Sequence, residues 1–152
     1  MVVCKGEPLA SEILPGVWLG AEASANDVEF LTKHKIKNII RILDTYPTLK
    51  GFTYMHCPLQ SEKICETDMT PYFNSAFKFI TDSILNKQNI LVHCKRGHHR
   101  SATLIVAYLV EQLNMDMTKV VEYIRLKRKC GLRYLHCMVQ KYIKYHTDHN
   151  II

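Results

Sequence analysis

Two patterns of apolar residues alternate along this chain: short β-branched runs, and longer stretches with helical spacing. Gly16-Val-Trp-Leu-Gly20 predicts a short strand bounded by glycines. Ser24 or Asn26 caps a predicted helix that runs to about Lys35, with Val28, Leu31 and Ile36 on one face. Residues 38–43 (NIIRIL) read as a strand that ends in the turn Asp44-Thr-Tyr-Pro, and 53–59 as another. Thr70-Pro71 opens a helix, the hydroxyl at the cap and the proline in the first turn, where its missing N–H costs nothing. Phe73, Phe77, Ile80, Ile84 and Leu85 carry that helix to about Lys87.

Residues 90–93 (ILVH) form an almost wholly apolar run, the signature of a central strand covered on both faces. From Ser101 the chain is apolar nearly all round, which predicts a helix buried in the middle of the domain. Asp116 caps a further helix carrying Val120, Val121, Ile124 and Leu126, and a last helix spans about 135–146. Alternating strands and helices predict an α/β fold, with a central, mainly parallel sheet and helices on both faces. Ligands of such sheets bind outside the carboxyl ends of the strands, so the loop after Val92 is the first candidate site.

The 152 residues, 47% hydrophobic and 22% charged, suit one domain over 1–152 with a sizeable core. That composition excludes a disordered, collagen-like or low-complexity chain, and there is no internal repeat. Twenty Lys and Arg against fourteen Asp and Glu give a net charge of +6, which favours anionic partners: phosphate groups, nucleic acid or acidic lipid. The six cysteines lack a framework spacing, so free thiols in a reducing compartment, cytoplasmic or nuclear, are expected. The N-terminus has no signal-peptide pattern, and no run approaches the ~18 apolar residues of a membrane span.

The loop itself reads His93-Cys94-Lys95-Arg96-Gly97-His98-His99-Arg100-Ser101. At a tight turn from strand to helix, successive backbone N–H groups converge on an anion, and the helix N-terminus adds partial positive charge. Gly97 permits a backbone conformation that a Cβ would strain. Arg100 offers a planar fork that matches two phosphate oxygens. A cysteine at the head of such a nest has its thiolate stabilised, which makes Cys94 a nucleophile facing a phosphoryl cradle. Lys95, Arg96, Gly97, His98, His99 and Arg100 are the candidate phosphate-binding residues.

Cys-x5-Arg-Ser preceded by His resembles the signature of the cysteine-dependent phosphatases, and the wider chain resembles their dual-specificity branch. The stretches 12–20, 71–80 and 101–109 carry that likeness, which covers about 12–145. The resemblance implies a protein-tyrosine-phosphatase-like fold of the small dual-specificity type. It also implies Cys94 as the nucleophile forming a cysteinyl-phosphate, Arg100 as the phosphate ligand and Ser101 as the hydroxyl that eases departure of the sulfur. His93 would orient the loop. No metal or organic cofactor is implied, and a zinc site built from His93, Cys94, His98 and His99 would cost Cys94 its role as nucleophile.

The family also uses an aspartate about 30 residues upstream as general acid. Here that loop reads Gln60-Ser-Glu-Lys-Ile-Cys-Glu-Thr-Asp68, with Ser61 or Lys63 at the aligned position. Glu62, between them, is the expected acid, with Asp68 as the alternative. Phosphorylated proteins are the expected substrates. The departure at the acid and the basic loop keep other polyanions open: an RNA 5′-triphosphate, a phosphoinositide or an inositol pyrophosphate. A phosphate-binding pseudoenzyme is a further reading, opposed by the presence of Cys94 and Arg100. Arg125, Lys127, Arg128, Lys129 and Arg133 read as a solvated face, or as a docking patch for an acidic substrate. Tyr123, Tyr134, Tyr142, Tyr145 and Trp18 read as packing residues; Cys65 and Cys57 are candidate disulfide partners for oxidised Cys94, with Cys57 otherwise a small buried hydrophobe. The oligomeric state is not legible.

Overall fold

The computed structural model describes residues 6–59, 68–132 and 140–145. Five strands form one sheet: β1 (Ala10–Leu14), β2 (Val17–Gly20), β3 (Ile36–Arg41), β4 (Thr53–His56) and β5 (Asn89–His93). They lie in the order β1-β2-β5-β3-β4, with β2, β5, β3 and β4 parallel and β1 antiparallel at one edge. The apolar run 90–93 thus occupies the middle of the sheet, where a strand meets protein on both faces. The pleat sends alternate residues to opposite sides. Ile39 and Leu91 join the cluster with Ala25 and Leu31, whereas Ile40, Ile90 and Val92 join the larger one.

Two short helices, α1 (Glu22–Ala25) and α2 (Val28–Lys33), supply Ala25 and Leu31 to the smaller cluster. The larger cluster takes α3 (Thr70–Leu85), α4 (Arg100–Glu111) and α5 (Met117–Lys127). Every residue of α4 from Arg100 to Val110 is buried, which accounts for its lack of a polar face. Helical residues 140–145 bring Tyr142 onto Phe73, with ring centroids 5.5 Å apart. The remainder of the helix expected at 135–146, and Tyr134, lie outside the described residues. No helix among the described residues is long and apolar enough to cross a membrane.

Several local expectations need correction. Residues 10–14 also form a strand, antiparallel to β2, so the first strands of the described residues make a hairpin rather than a single strand. Neither Ser24 nor Asn26 caps a helix reaching Lys35. The turn between α1 and α2 is capped by Asp27, whose carboxylate accepts from Phe30 N–H at 3.1 Å. At α3 the cap position is Met69 and Thr70 lies inside the helix; Asp68 accepts from the Thr70 N–H and hydroxyl at 3.0 and 2.7 Å. Leu126 is 85% exposed and so leaves the apolar face of α5, where Val120 and Ile124 are buried and Met117, Val121 and Tyr123 pack partly buried against the core. Free thiols are found at Cys57 and Cys94, but Cys130 is disulfide-bonded.

Two leucines test this packing. Leu104→Ala, in the buried α4, should destabilise the domain by about 2–5 kcal/mol in urea denaturation. Leu126→Ala should stay within about 0.5 kcal/mol of the parent.

Candidate active site

The loop joins the end of β5 at His93 to the start of α4 at Arg100, at the carboxyl edge of the parallel strands. Its carbonyls are bound away from the loop's centre one after another. Ile42 N–H donates to His93 O at 3.0 Å, and His93 Nδ1 donates to Cys94 O at 3.1 Å. Glu22 N–H donates to Lys95 O at 2.9 Å, and the Arg128 guanidinium donates to both Arg96 O and Gly97 O at 3.0 Å. Leu132 N–H takes His98 O at 2.7 Å, and the Thr103 N–H and hydroxyl take His99 O at 2.7 Å each. A peptide unit carries its C=O and N–H on opposite sides, so carbonyls turned outward leave amides for the centre.

Gly97 has φ +71°, in the left-handed region, and a Cβ there would stand 2.6 Å from the carbonyl carbon and oxygen of Gly20. Both the backbone turn and the close approach to the end of β2 therefore require glycine. The contact continues into α1: Glu22 accepts an ion pair from Arg41 at 3.1 Å, which holds the first turn of α1 against the loop.

The Cys94 sulfur is 3.1 Å from Ser101 Oγ, and the side chain is 3% exposed. Burial by itself raises a thiol. Here the Arg100 charge, the Ser101 hydroxyl and the N–H groups of Ser101 and Gly97 outweigh it and hold Cys94 below its ordinary value. Cys57 shows the opposite balance: it is fully buried with no such donors, and burial pushes it up to about 12. His93 is buried too, and desolvation brings it down to about 4, so the ring is neutral at pH 7 with its proton on Nδ1. Arg100 is 4% exposed, and its Nη1 donates to Ile42 O and Leu59 O at 3.3 Å.

The structure thus brings Cys94, Arg100, Ser101, His93 and Gly97 together. Lys95 and Arg96 are exposed, and their backbone carbonyls join the outward-bound set. His98 turns away to Glu7, its Nε2 donating to Oε2 at 2.7 Å. Among the described residues no group of three or more His, Cys, Asp or Glu is placed to hold a metal ion. Glu62 lies outside the described residues, as do Cys65 and Arg133; Asp68 serves the first turn of α3. The basic run is not uniformly solvated, because Arg128 is 2% exposed. Its spacing after Val120 and Ile124 extends the buried stripe of α5, and that was the available signal. Glu7 has no comparable local signature. The tyrosines pack as expected where described: Tyr123 donates to Ile13 O and Tyr142 to Glu111 at 3.0 Å.

Two changes test the loop's construction. Gly97→Ala should abolish tungstate binding in calorimetry, because the loop must part from Gly20 to admit a methyl group. The depressed His93 pKa means that the unfolded chain binds a proton the native state refuses. Stability should therefore fall as the pH drops from about 6.5 towards 4, less steeply in His93→Asn, as read by urea midpoints across pH.

Comparison with known proteins places this geometry in context. Residues 17–144 match the family model described as dual specificity phosphatase, catalytic domain. The chain is 31% identical over 118 residues to dual specificity protein phosphatase 1B of Arabidopsis thaliana, covering 78% of this chain and 71% of that one. It is 32% identical over 122 residues to dual specificity protein phosphatase 22 of Mus musculus, covering 80% of this chain and 65% of the mouse protein. The crystal structure of DUSP15 superposes with a TM-score of 0.75 at 31% identity, over 80% of this chain and 78% of that one. That of human tyrosine phosphatase-like serine/threonine/tyrosine-interacting protein does so with 0.79 at 26% identity, over 93% and 98%. With 128 of its 152 residues inside that catalytic-domain match, the chain belongs to the dual-specificity phosphatases, a family of cysteine-based protein phosphatases.

Proposed function

We propose that this chain hydrolyses phosphate monoesters on phosphotyrosine and on phosphoserine or phosphothreonine of proteins, through a cysteinyl-phosphate at Cys94. The observation that carries the reading is the Cys94 sulfur, buried at the head of the loop yet with its pKa held below the ordinary thiol value by Arg100, Ser101 and two backbone N–H groups. A thiolate held in this way needs no separate base. The sulfur attacks phosphorus, the S–P bond forms as the P–O bond to the substrate breaks, and the leaving oxygen takes a proton. Water then attacks phosphorus, the S–P bond breaks, and inorganic phosphate leaves with the thiolate restored.

Arg100 meets the charge that spreads over the equatorial oxygens. Its Nη1 is tethered to Ile42 O and Leu59 O, so Nε and Nη2 form the edge offered to two phosphate oxygens. Ser101 hydrogen-bonds the sulfur, which lowers the cost of expelling it in the second step. Glu62 is the group we assign to protonate the leaving oxygen, a contribution of ~10²–10⁴ in rate. The relatives named above as protein phosphatases support phosphorylated protein over RNA 5′-triphosphate, phosphoinositide or inositol pyrophosphate.

Wild type should hydrolyse p-nitrophenyl phosphate without added metal, and Cys94→Ser should lose roughly 10⁴-fold or more in rate. No turnover by wild type would overturn the reading in favour of a phosphate-binding module. Glu62→Gln should slow aryl phosphates with poor leaving groups more than p-nitrophenyl phosphate. Inactivation by iodoacetamide should rise with pH to a plateau below the ordinary thiol midpoint of ~8.5. Ser101→Ala should move its midpoint upward, since one donor to the sulfur is gone. Phosphotyrosine and phosphothreonine peptides, compared with triphosphate RNA and inositol phosphates, give the substrate class by their kcat/KM.

A further inference from the structure

Behind the loop, on the side away from Cys94, lies a cluster of charged groups with no place in the reaction just described. Arg128 leaves the end of α5 with extended backbone (φ −138°, ψ 101°) and runs inward, 2% exposed. Its Nε and Nη2 donate to Gly97 O and Arg96 O, both at 3.0 Å. Nη1 donates to Pro8 O at 2.8 Å and Ser11 Oγ at 3.1 Å, and Nη2 also lies 3.5 Å from Leu9 O. One side chain thus ties α5 and the segment before β1 to two consecutive peptides of the loop.

Glu7 completes the arrangement. Its side chain is 5% exposed; Oε1 lies 3.5 Å from Arg128 Nε and accepts from Cys130 N–H at 3.2 Å. Oε2 accepts from His98 Nε2 at 2.7 Å. A buried guanidinium is tolerated only when its donors are met and its charge is balanced. Burial works against the charge on Arg128, while the Glu7 carboxylate and the Cys94 thiolate favour it. Both acceptors that it takes from the loop belong to its turn, at the point where Gly97 adopts φ +71°. Lysine has no planar fork to reach two adjacent carbonyls at once.

We infer that Arg128 and Glu7 are a positioning pair that turns the Arg96 and Gly97 carbonyls and the His98 ring outward, and thereby sets the phosphate loop for anion binding. Neither group touches the phosphate. Arg128 holds the two peptides, and Glu7 holds Arg128 and His98. The inference rests on the reading of the loop as a phosphate site.

The test uses tungstate affinity and the pH profile of Cys94 alkylation, neither of which requires turnover. Failure of wild-type p-nitrophenyl phosphate hydrolysis would therefore count against the proposed activity and leave this test standing. In folded Arg128→Lys, tungstate affinity should fall about tenfold, the size of one lost charge-assisted hydrogen bond. The alkylation midpoint should move to higher pH, with a smaller shift in the isosteric Glu7→Gln. A stability role alone would lower the urea midpoint and leave both readouts at wild-type values; that result, in either folded variant, overturns the inference. If Arg128→Lys does not fold, Glu7→Gln decides alone. If neither folds, the pair serves the fold rather than the loop, and the inference is overturned as well.

Discussion

The outward binding of the loop carbonyls is the constraint on which the rest of the site depends. From His93 to His99 each carbonyl has a donor outside the loop's centre, drawn from β3's continuation, the His93 ring at the end of β5, α1, α4 and the segment around α5. An amide cannot turn inward unless its carbonyl is satisfied elsewhere, because an unpaired buried peptide group costs about as much as a lost hydrogen bond. The orientation of these peptides is therefore determined from behind, by groups on the outer side of the loop. Glycine at position 97 is the local counterpart of the same requirement, since the loop rests against the Gly20 backbone with no room for a methyl group.

Three titratable groups near this constraint share burial and differ in outcome. Cys57 is pushed up to about 12, His93 is brought down to about 4, and Cys94 is lowered despite its burial. Desolvation disfavours the charged form in all three. What distinguishes Cys94 is the set of donors aimed at its sulfur: a cation, a hydroxyl and two amides. A buried cysteine is by default a small hydrophobe whose thiol is hard to ionise; at Cys94 the surrounding donors reverse that direction. His93, kept neutral beside it, adds no competing charge and uses its one N–H to fix the Cys94 carbonyl.

Much of the fold was legible because apolar periodicity and burial are two descriptions of one fact. The run 90–93 is the central strand, and the unbroken apolar stretch after Ser101 is a helix with no exposed face. Caps were less legible. Asp27, Ser24 and Asn26 are equally good acceptors on paper, and which of them meets an N–H depends on where the turn between α1 and α2 falls. The opening hairpin was hidden because β1 buries Ala10 and Ile13 beside the polar Ser11 and exposed Glu12, a weak alternation across a bulge.

The order of residues from His93 to Ser101 alone determined the character of the site: a thiol at the strand's end, a glycine in the turn, a guanidinium at the helix start. Those features act over a few bonds, and local chemistry is written in local sequence. Only the tertiary structure decided which charges serve the loop. Arg128 and Glu7 stand 121 residues apart, and each in isolation is an ordinary surface charge. They become buried partners of Arg96, Gly97 and His98 because α5 and the segment before β1 both pack behind the loop. A hydrogen bond depends on distance in space, and separation along the chain carries no information about that distance until the chain has folded.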